Sequence, residues 1–152
     1  MITEVILDTS PLGLLSNRAG KSQEIDECHQ WFDTLRQAGV KFYMPEIADY
    51  EVRRELVRSK QTAGISRLDR LKIQIIYLPI HSDAMLLAAD LCAQVRNAGI
   101  ATADKHALDG DVILCAQALS LGLATAEFVI ATSNVKHLSR FVPAEEWANI
   151  QP

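Results

Sequence analysis

Three acidic residues lie in separate segments of the chain, each beside an element that is expected to feed one sheet. Asp8 directly follows the apolar run of residues 5–7. Glu51 lies in a helix-like segment, and Asp111 opens the apolar segment of residues 112–119. Carboxylates that converge without a partner repel each other and take up protons, so such a cluster requires a cation. Because oxygen ligands suit Mg²⁺ and Mn²⁺, the three acids predict a reaction that depends on one of these ions.

The elements that must position these acids alternate between strand and helix along the chain. Strands are expected at residues 3–7, 40–44, 72–78 and 128–132, and helices at residues 10–20, 22–37, 45–59, 60–71, 81–97 and 111–121. This alternation predicts right-handed crossovers and a single α/β domain over residues 1–152, with helices on both faces of a parallel sheet. Ligands of such sheets bind beyond the carboxyl ends of the strands, where the three acids are expected to meet.

Local signals predict several element boundaries. Ser10 is expected to cap the first helix, with Pro11 at its first helical position. Ser82 is expected to cap the helix of residues 81–97, and Asp109 to cap the helix that carries the third acid in its first turn. Residues 100–108 are polar and are expected to form a loop over the mouth of the site.

Composition limits the class of protein. The chain has 152 residues, of which 49% are hydrophobic, and this suffices for one domain with a sizeable core. A net charge of −4 argues against a protein that coats nucleic acid through overall charge. Three cysteines without close pairing favour a reducing compartment. Because the first residues lack a basic n-region and no long apolar run exists, we expect a soluble cytoplasmic protein with no membrane association.

Basic residues are concentrated after the second acid. Residues 53–72 contain seven Lys or Arg residues and two acidic ones, so a polyanion would be attracted to this segment. An ordinary solvated helix face is the alternative. Tyr50 can stack on nucleic-acid bases, whereas Tyr43 and Trp31 are expected in the core. The candidate contacts to a phosphate backbone are Arg53, Arg54, Arg58 and Lys60.

Each acid also has a simpler interpretation. Asp8 can cap a helix, Asp111 can favour a helix dipole, and Glu51 can be one of several solvated acids on its helix. Only their joint placement favours a site. Other chemistries lack support, since the four histidines show no zinc spacing and no glycine-rich nucleotide-binding motif is present.

Four segments in this order resemble the PIN-domain nucleases, in particular the VapC-type toxins of bacterial toxin–antitoxin pairs. They are residues 5–10, Pro45 with Glu51 six positions later, residues 111–116 and residues 130–134. The resemblance covers nearly the whole chain. It implies a three-layer PIN-type fold and a ribonuclease that uses Mg²⁺ or Mn²⁺, with the three acids as catalytic residues.

The resemblance also assigns further roles. Asp8 and Asp111 are expected to bind the metal directly, and Glu51 is expected to bind a second ion or to position the attacking water. Asn134 stands where many members have a fourth acid and is expected to join the metal ligands. Ser10 and Thr132 match hydroxyl positions that support the metal or its water shell. Members commonly form homodimers and bind a small antitoxin whose tail enters the acidic groove, so the expected partners are RNA, a cognate antitoxin and a second copy.

Two other functions remain open from the sequence. The main alternative is a catalytically weak PIN-fold module that binds RNA or a protein. A magnesium-dependent phosphatase acting on small molecules is the other, although the basic segment favours an extended substrate.

Overall fold

The computed structural model describes residues 1–100 and 105–152. Within these ranges, five parallel strands form one sheet in the order β3-β2-β1-β4-β5. The strands are β1 (Glu4–Leu7), β2 (Lys41–Pro45), β3 (Ile76–Leu78), β4 (Phe128–Thr132) and β5 (Ala144–Glu146). The helices are α1 (Thr9–Leu15), α2 (Gln23–Gln37), α3 (Glu46–Arg58), α4 (Thr62–Gln74), α5 (Ser82–Asn97), α6 (Lys105–Leu119) and α7 (Val135–Leu138), and a 3₁₀ turn covers Trp147–Asn149.

Successive side chains of each central strand enter two different cores, because the side-chain period of a strand is two. In β1, Val5 and Leu7 pack against α1, α2, α3 and α4, whereas Ile6 packs against α5 and α6. All four residues of β1 are buried, as expected for a parallel strand covered on both faces. The three-layer α/β fold that the sequence predicts is therefore confirmed.

The order of the strands places a switch point next to β1. The chain runs from β1 to β2 and β3 on one side and then returns to β4 on the other side of β1. Leu7 of β1 is in register with Ala131 of β4, and the backbone N–H of Asp8 donates to the carbonyl of Ala131 at 3.0 Å. Asp8 therefore lies at the crevice where ligands of such sheets bind.

Three predicted boundaries near the first and third strands are wrong, and one of them is the end of α1, which lies at Leu15 and not at residue 20. α1 begins at Thr9 with Asp8 as its N-cap, so Ser10 lies inside the helix. α4 continues to Gln74, so the predicted strand at residues 72–78 shrinks to the three residues of β3. The β-branched side chains in residues 72–78 favour a strand. The buried side chains of Leu68 and Leu71 fix the last turns of α4, and residues 72–74 continue that helix although Ile73 is 85% exposed.

The start of α6 also differs from the prediction. α6 begins at Lys105, so residues 105–108 are helical and do not form the expected loop. Asp109 lies within the helix and does not cap it, and Asp111 lies in the second turn. Leu108 is buried and extends the apolar face of the helix toward its start, which explains the earlier beginning. Residues 101–104 of the predicted loop lie outside the described residues.

Three smaller features complete the comparison. Ser82 is the first residue of α5, and His81 holds the N-cap position without a side-chain hydrogen bond. The three-residue edge strand β5 and the four-residue helix α7 were not predicted, since such short elements carry no clear periodicity. In the described ranges, no helix combines the length and the apolar character needed to cross a membrane.

Candidate active site

Asp8 is held at the switch point by hydrogen bonds to both of its carboxylate oxygens. Oδ1 accepts from the backbone N–H of Thr9 at 2.7 Å, and Oδ2 accepts from the hydroxyl of Thr132 at 2.7 Å. The same hydroxyl accepts from the backbone N–H of Asn134 at 2.8 Å, and Thr132 is fully buried. Asp8 therefore caps a helix and faces the crevice at once. Thr132 ties it to the chain that follows β4.

Asp111 enters the site from α6 and is met by two side chains from the end of β4 and from α7. The amide nitrogen of Asn134 lies 3.4 Å from each carboxylate oxygen of Asp111. Nδ1 of His137 lies 3.6 Å from Oδ2 of Asp111. His137 was not among the predicted site residues. Its position three residues after Asn134 is the spacing that places side chains on one side of a helical turn, and this was the available signal.

Glu51 reaches the site from α3 and lies against the backbone of α6 at Gly110. A Cβ atom placed on Gly110 would lie 2.8 Å from Oε1 of Glu51, closer than real Cβ atoms come to another atom. Only glycine therefore lets the Glu51 carboxylate occupy this position. Gly110 was not among the predicted site residues either, although an isolated glycine inside a helical segment often marks a close packing contact.

Electrostatics show that the three carboxylates share one site. Burial raises the pKa of Asp8 above its ordinary value, although the hydrogen bonds from Thr132 and Thr9 act to lower it. Burial and then the charge of Asp8 raise the pKa of Glu51, while Arg54 opposes this and Asp111 adds to it. Burial and then Asp8 raise the pKa of Asp111, while His137 opposes the shift. The three acids from three elements thus lie close enough to interact: burial destabilises the ionised form of each, and the charge of Asp8 further destabilises ionised Glu51 and Asp111.

The chemistry of these side chains fits a hard divalent cation. All three acids offer oxygen ligands, and their raised pKa values are the response expected where opposite charge is lacking. Among the described residues, the buried hydroxyl of Ser10 has no hydrogen-bond partner, so it is available to a ligand or to its water. In the same ranges, no group of three or more His, Cys, Asp or Glu side chains is arranged so that it could hold a metal ion. Because Mg²⁺ usually binds few carboxylates and keeps several waters, its binding here would need only one or two of these acids.

Two of the four predicted basic contacts are engaged with carboxylates. The Arg53 guanidinium lies 3.0 Å from Asp49 in its own helix and 2.8 Å from Asp69 in α4. Arg53 therefore ties α3 to α4. Arg58 pairs with Glu55 one turn earlier, on the exposed surface of α3.

The other two basic residues are exposed. The Arg54 guanidinium lies 5.3 Å from the centre of the Tyr50 ring. It is also close enough to Glu51 to oppose the rise in the pKa of that acid. Lys60 follows α3 with a left-handed backbone, at a φ of 58°. Tyr50 is 57% exposed, whereas Tyr43 and Trp31 are buried as predicted.

Comparison with known proteins identifies the fold. The sequence matches no protein-family model and no curated protein. The structure is similar to a chain of VapBC2 from Rickettsia felis bound to a DNA fragment from its promoter, with a TM-score of 0.71 at 14% identity over 93% of this chain and 97% of the other. For FitAcB from Neisseria gonorrhoeae the TM-score is 0.69 at 17% identity, covering 96% and 99% of the two chains. For VapBC-1 from nontypeable Haemophilus influenzae it is 0.66 at 18% identity, with the same coverage. These likenesses establish the fold alone, and the chain has the PIN-type α/β fold that the resemblance predicted.

Proposed function

We propose that this chain is a metal-dependent endoribonuclease that hydrolyses phosphodiester bonds of RNA. One observation carries the proposal: Asp8, Glu51 and Asp111 come from three separate elements and meet at the switch point of a PIN-type sheet. Their mutual repulsion destabilises the ionised forms, and a bound divalent cation would offset it. Mg²⁺ or Mn²⁺ is the proposed ion because the available ligands are oxygens.

The side chains of the site divide the work of hydrolysis. Asp8 and Asp111 would hold the ion, with Asn134 and the Ser10 hydroxyl beside them. When bound, it would supply positive charge to offset the charge on the phosphoryl oxygens and to activate the attacking water. Glu51 would orient the attacking water and accept its proton as the general base. The water oxygen forms a bond to phosphorus as one ester P–O bond breaks, and the leaving oxygen takes up a proton.

The basic segment of α3 is proposed to draw the RNA backbone toward these acids. Arg54 and Lys60 are exposed and can contact phosphates directly. Arg53 and Arg58 already pair with carboxylates that offset their charge, so they can contact phosphate only by sharing those pairs.

Cleavage of a mixed cellular RNA pool tests this function. The purified protein is incubated with Mg²⁺, with Mn²⁺ or with chelator, next to Asp8→Asn and a control, Asp90→Asn, which changes an exposed acid of α5. Asparagine caps helices about as well as aspartate, so Asp8→Asn keeps the cap of α1. We expect metal-dependent fragments from the wild type and from Asp90→Asn, and none from Asp8→Asn.

Two results would contradict the nuclease. Equal cleavage by Asp8→Asn would contradict the assignment of the active site, and cleavage in chelator would contradict the requirement for a metal. RNA that is bound but left intact by every protein would instead support the alternative of a PIN-fold binding module.

We also propose that the protein is the toxin of a VapBC-type pair. The support is the similarity to chains of the VapBC and FitAcB complexes. The proposed antitoxin is a small protein that would be encoded beside this chain, and a second copy is the proposed dimer partner. Co-expression with that neighbour should yield a stable complex that does not cleave RNA. Light scattering should give twice the chain mass for the protein alone, and a monomer would contradict the dimer.

A further inference from the structure

A groove between α3 and α6 opens beside the candidate active site. Its volume is about 490 Å³, within the range of roughly 300–1,000 Å³ found for small-molecule sites. From α3, Ile47, Tyr50 and Arg54 line it together with Glu51, and these positions recur at three- and four-residue spacing on one helix face. From α6, Ile113 forms part of the facing wall.

The groove combines three properties that suit a nucleotide. The Tyr50 ring is 57% exposed and presents a flat aromatic face. The Arg54 guanidinium lies over that ring, 5.3 Å from its centre, and Arg54 is exposed, so its positive charge can move from the ring to a phosphate when a base stacks there. Ile47 and Ile113 are half-buried and offer apolar surface to a planar ligand.

The other end of the groove leads to the reacting group. The Glu51 carboxylate is one of the lining groups, so a ligand in the groove continues directly into the three-acid site. The positive charge of Arg54 at this position counters the acidic surroundings, which would otherwise repel a polyanion.

We propose that this groove is a nucleotide subsite that takes one unpaired base of single-stranded RNA, stacked on Tyr50, with Arg54 on the adjacent phosphate. The inference rests on the proposed ribonuclease function, since it names the class of RNA that this site accepts. A base in a duplex is stacked between its neighbours and cannot offer its face to a side chain. The substrate is therefore an unpaired segment such as a loop.

Fluorescence anisotropy tests the stacking contact. The probe is a labelled single-stranded RNA of mixed sequence, about 12 nucleotides long, titrated with full-length protein that carries Asp8→Asn to prevent cleavage. Adding Tyr50→Ala should weaken binding about ten-fold, within the range known for base–aromatic stacking, whereas Tyr50→Phe should stay within about two-fold. The matched control is Val57→Ala, because Val57 lies on the same helix and is 59% exposed, and it should not change binding.

A second pair of variants tests the phosphate contact. Arg54→Ala should weaken binding several-fold and make it less dependent on salt, because one cation–phosphate contact is lost. Arg36→Ala is the matched control: the Arg36 guanidinium also lies 5.3 Å from an aromatic ring, that of Phe32 on α2. Arg36 is exposed and distant in sequence from the site, and its removal should leave both affinity and salt dependence unchanged.

The identity of the ligand is tested by changing the RNA. With an oligonucleotide that lacks its bases, Tyr50→Ala and the parent protein should bind equally, and with blunt duplex RNA Tyr50 should make no difference. An equal affinity of Tyr50→Ala and its parent for the single-stranded probe would overturn the proposal. An equal loss of affinity of Tyr50→Ala for the abasic probe would also overturn it. A loss of affinity confined to a protein partner would overturn it as well, and would assign the groove to a peptide segment.

These outcomes are separate from the test of the nuclease. Base-dependent binding through Tyr50 without any cleavage would keep the subsite and overturn the nuclease. Cleavage by a protein whose RNA binding ignores Tyr50 would keep the nuclease and overturn the subsite.

Discussion

Replacing Gly110 by alanine is expected to separate activity from stability. The new Cβ would lie 2.8 Å from Oε1 of Glu51, and an ordinary van der Waals contact begins at 3.4 Å, so the carboxylate must move by about 0.6 Å. The clashing atom is the end of a flexible side chain, so the backbone of α6 can stay in place. The substitution thus displaces one catalytic group and leaves the fold intact.

The expected magnitudes follow from this geometry. Alanine in a helix interior is about 1 kcal/mol more favourable than glycine, and a side chain forced off its rotamer costs about 0.5–1.5 kcal/mol. The free energy of unfolding of Gly110→Ala should therefore stay within about 1 kcal/mol of wild type. A misplacement of about 1 Å can cost about 100-fold in rate, so we expect cleavage to slow by roughly 10- to 100-fold.

Initial rates of metal-dependent RNA cleavage and thermal unfolding provide the assay. The control is Gly13→Ala in α1, where a Cβ atom meets nothing within 4 Å, so it should gain about 1 kcal/mol and cleave normally. In a Glu51→Ala background, Gly110→Ala should cause no further loss, because it acts only through that carboxylate. Normal cleavage by Gly110→Ala, or a loss of several kcal/mol in stability, would refute the reasoning.

Three further predictions concern the acids and their supports. Thr132→Val leaves Oδ2 of Asp8 without its donor and the Asn134 N–H without its acceptor. The free energy of unfolding should therefore fall by about 1–3 kcal/mol and RNA cleavage should slow. Thr132→Ser keeps both hydrogen bonds and is the control. Asp111→Asn removes a carboxylate whose pKa is raised, so in chelator at neutral pH it should unfold at a higher temperature than wild type. Mg²⁺ should raise the melting temperature of wild type and have little effect on this variant. Finally, folding raises the pKa values of Asp8, Glu51 and Asp111, so the folded protein binds more protons than the unfolded chain. In chelator, the stability of wild type relative to Asp111→Asn should therefore be greatest below about pH 4 and fall as pH rises; a relative stability that rises with pH would contradict the assigned shifts.

Local patterns were sufficient for much of the fold. The runs that form β1, β2 and β4 are apolar along nearly their whole length, because these strands are buried on both faces. Because these strands alternate with helices, the sequence predicted a parallel sheet with Asp8 and Asp111 at the same edge. Where two preferences competed, as in residues 72–78, the sequence was ambiguous, and packing of α4 decided the outcome.

The three acids and their order along the chain were evident from the sequence alone, because each acid adjoins an element with a clear periodicity. Only the tertiary structure decided which groups surround them. The Thr132 hydroxyl reaches Asp8 across 124 positions of sequence, Gly110 admits the Glu51 carboxylate, and His137 faces Asp111 from a four-residue helix. Periodicity describes which face of an element is buried. Contacts between side chains of different elements depend on how those elements pack, and no local pattern contains that information.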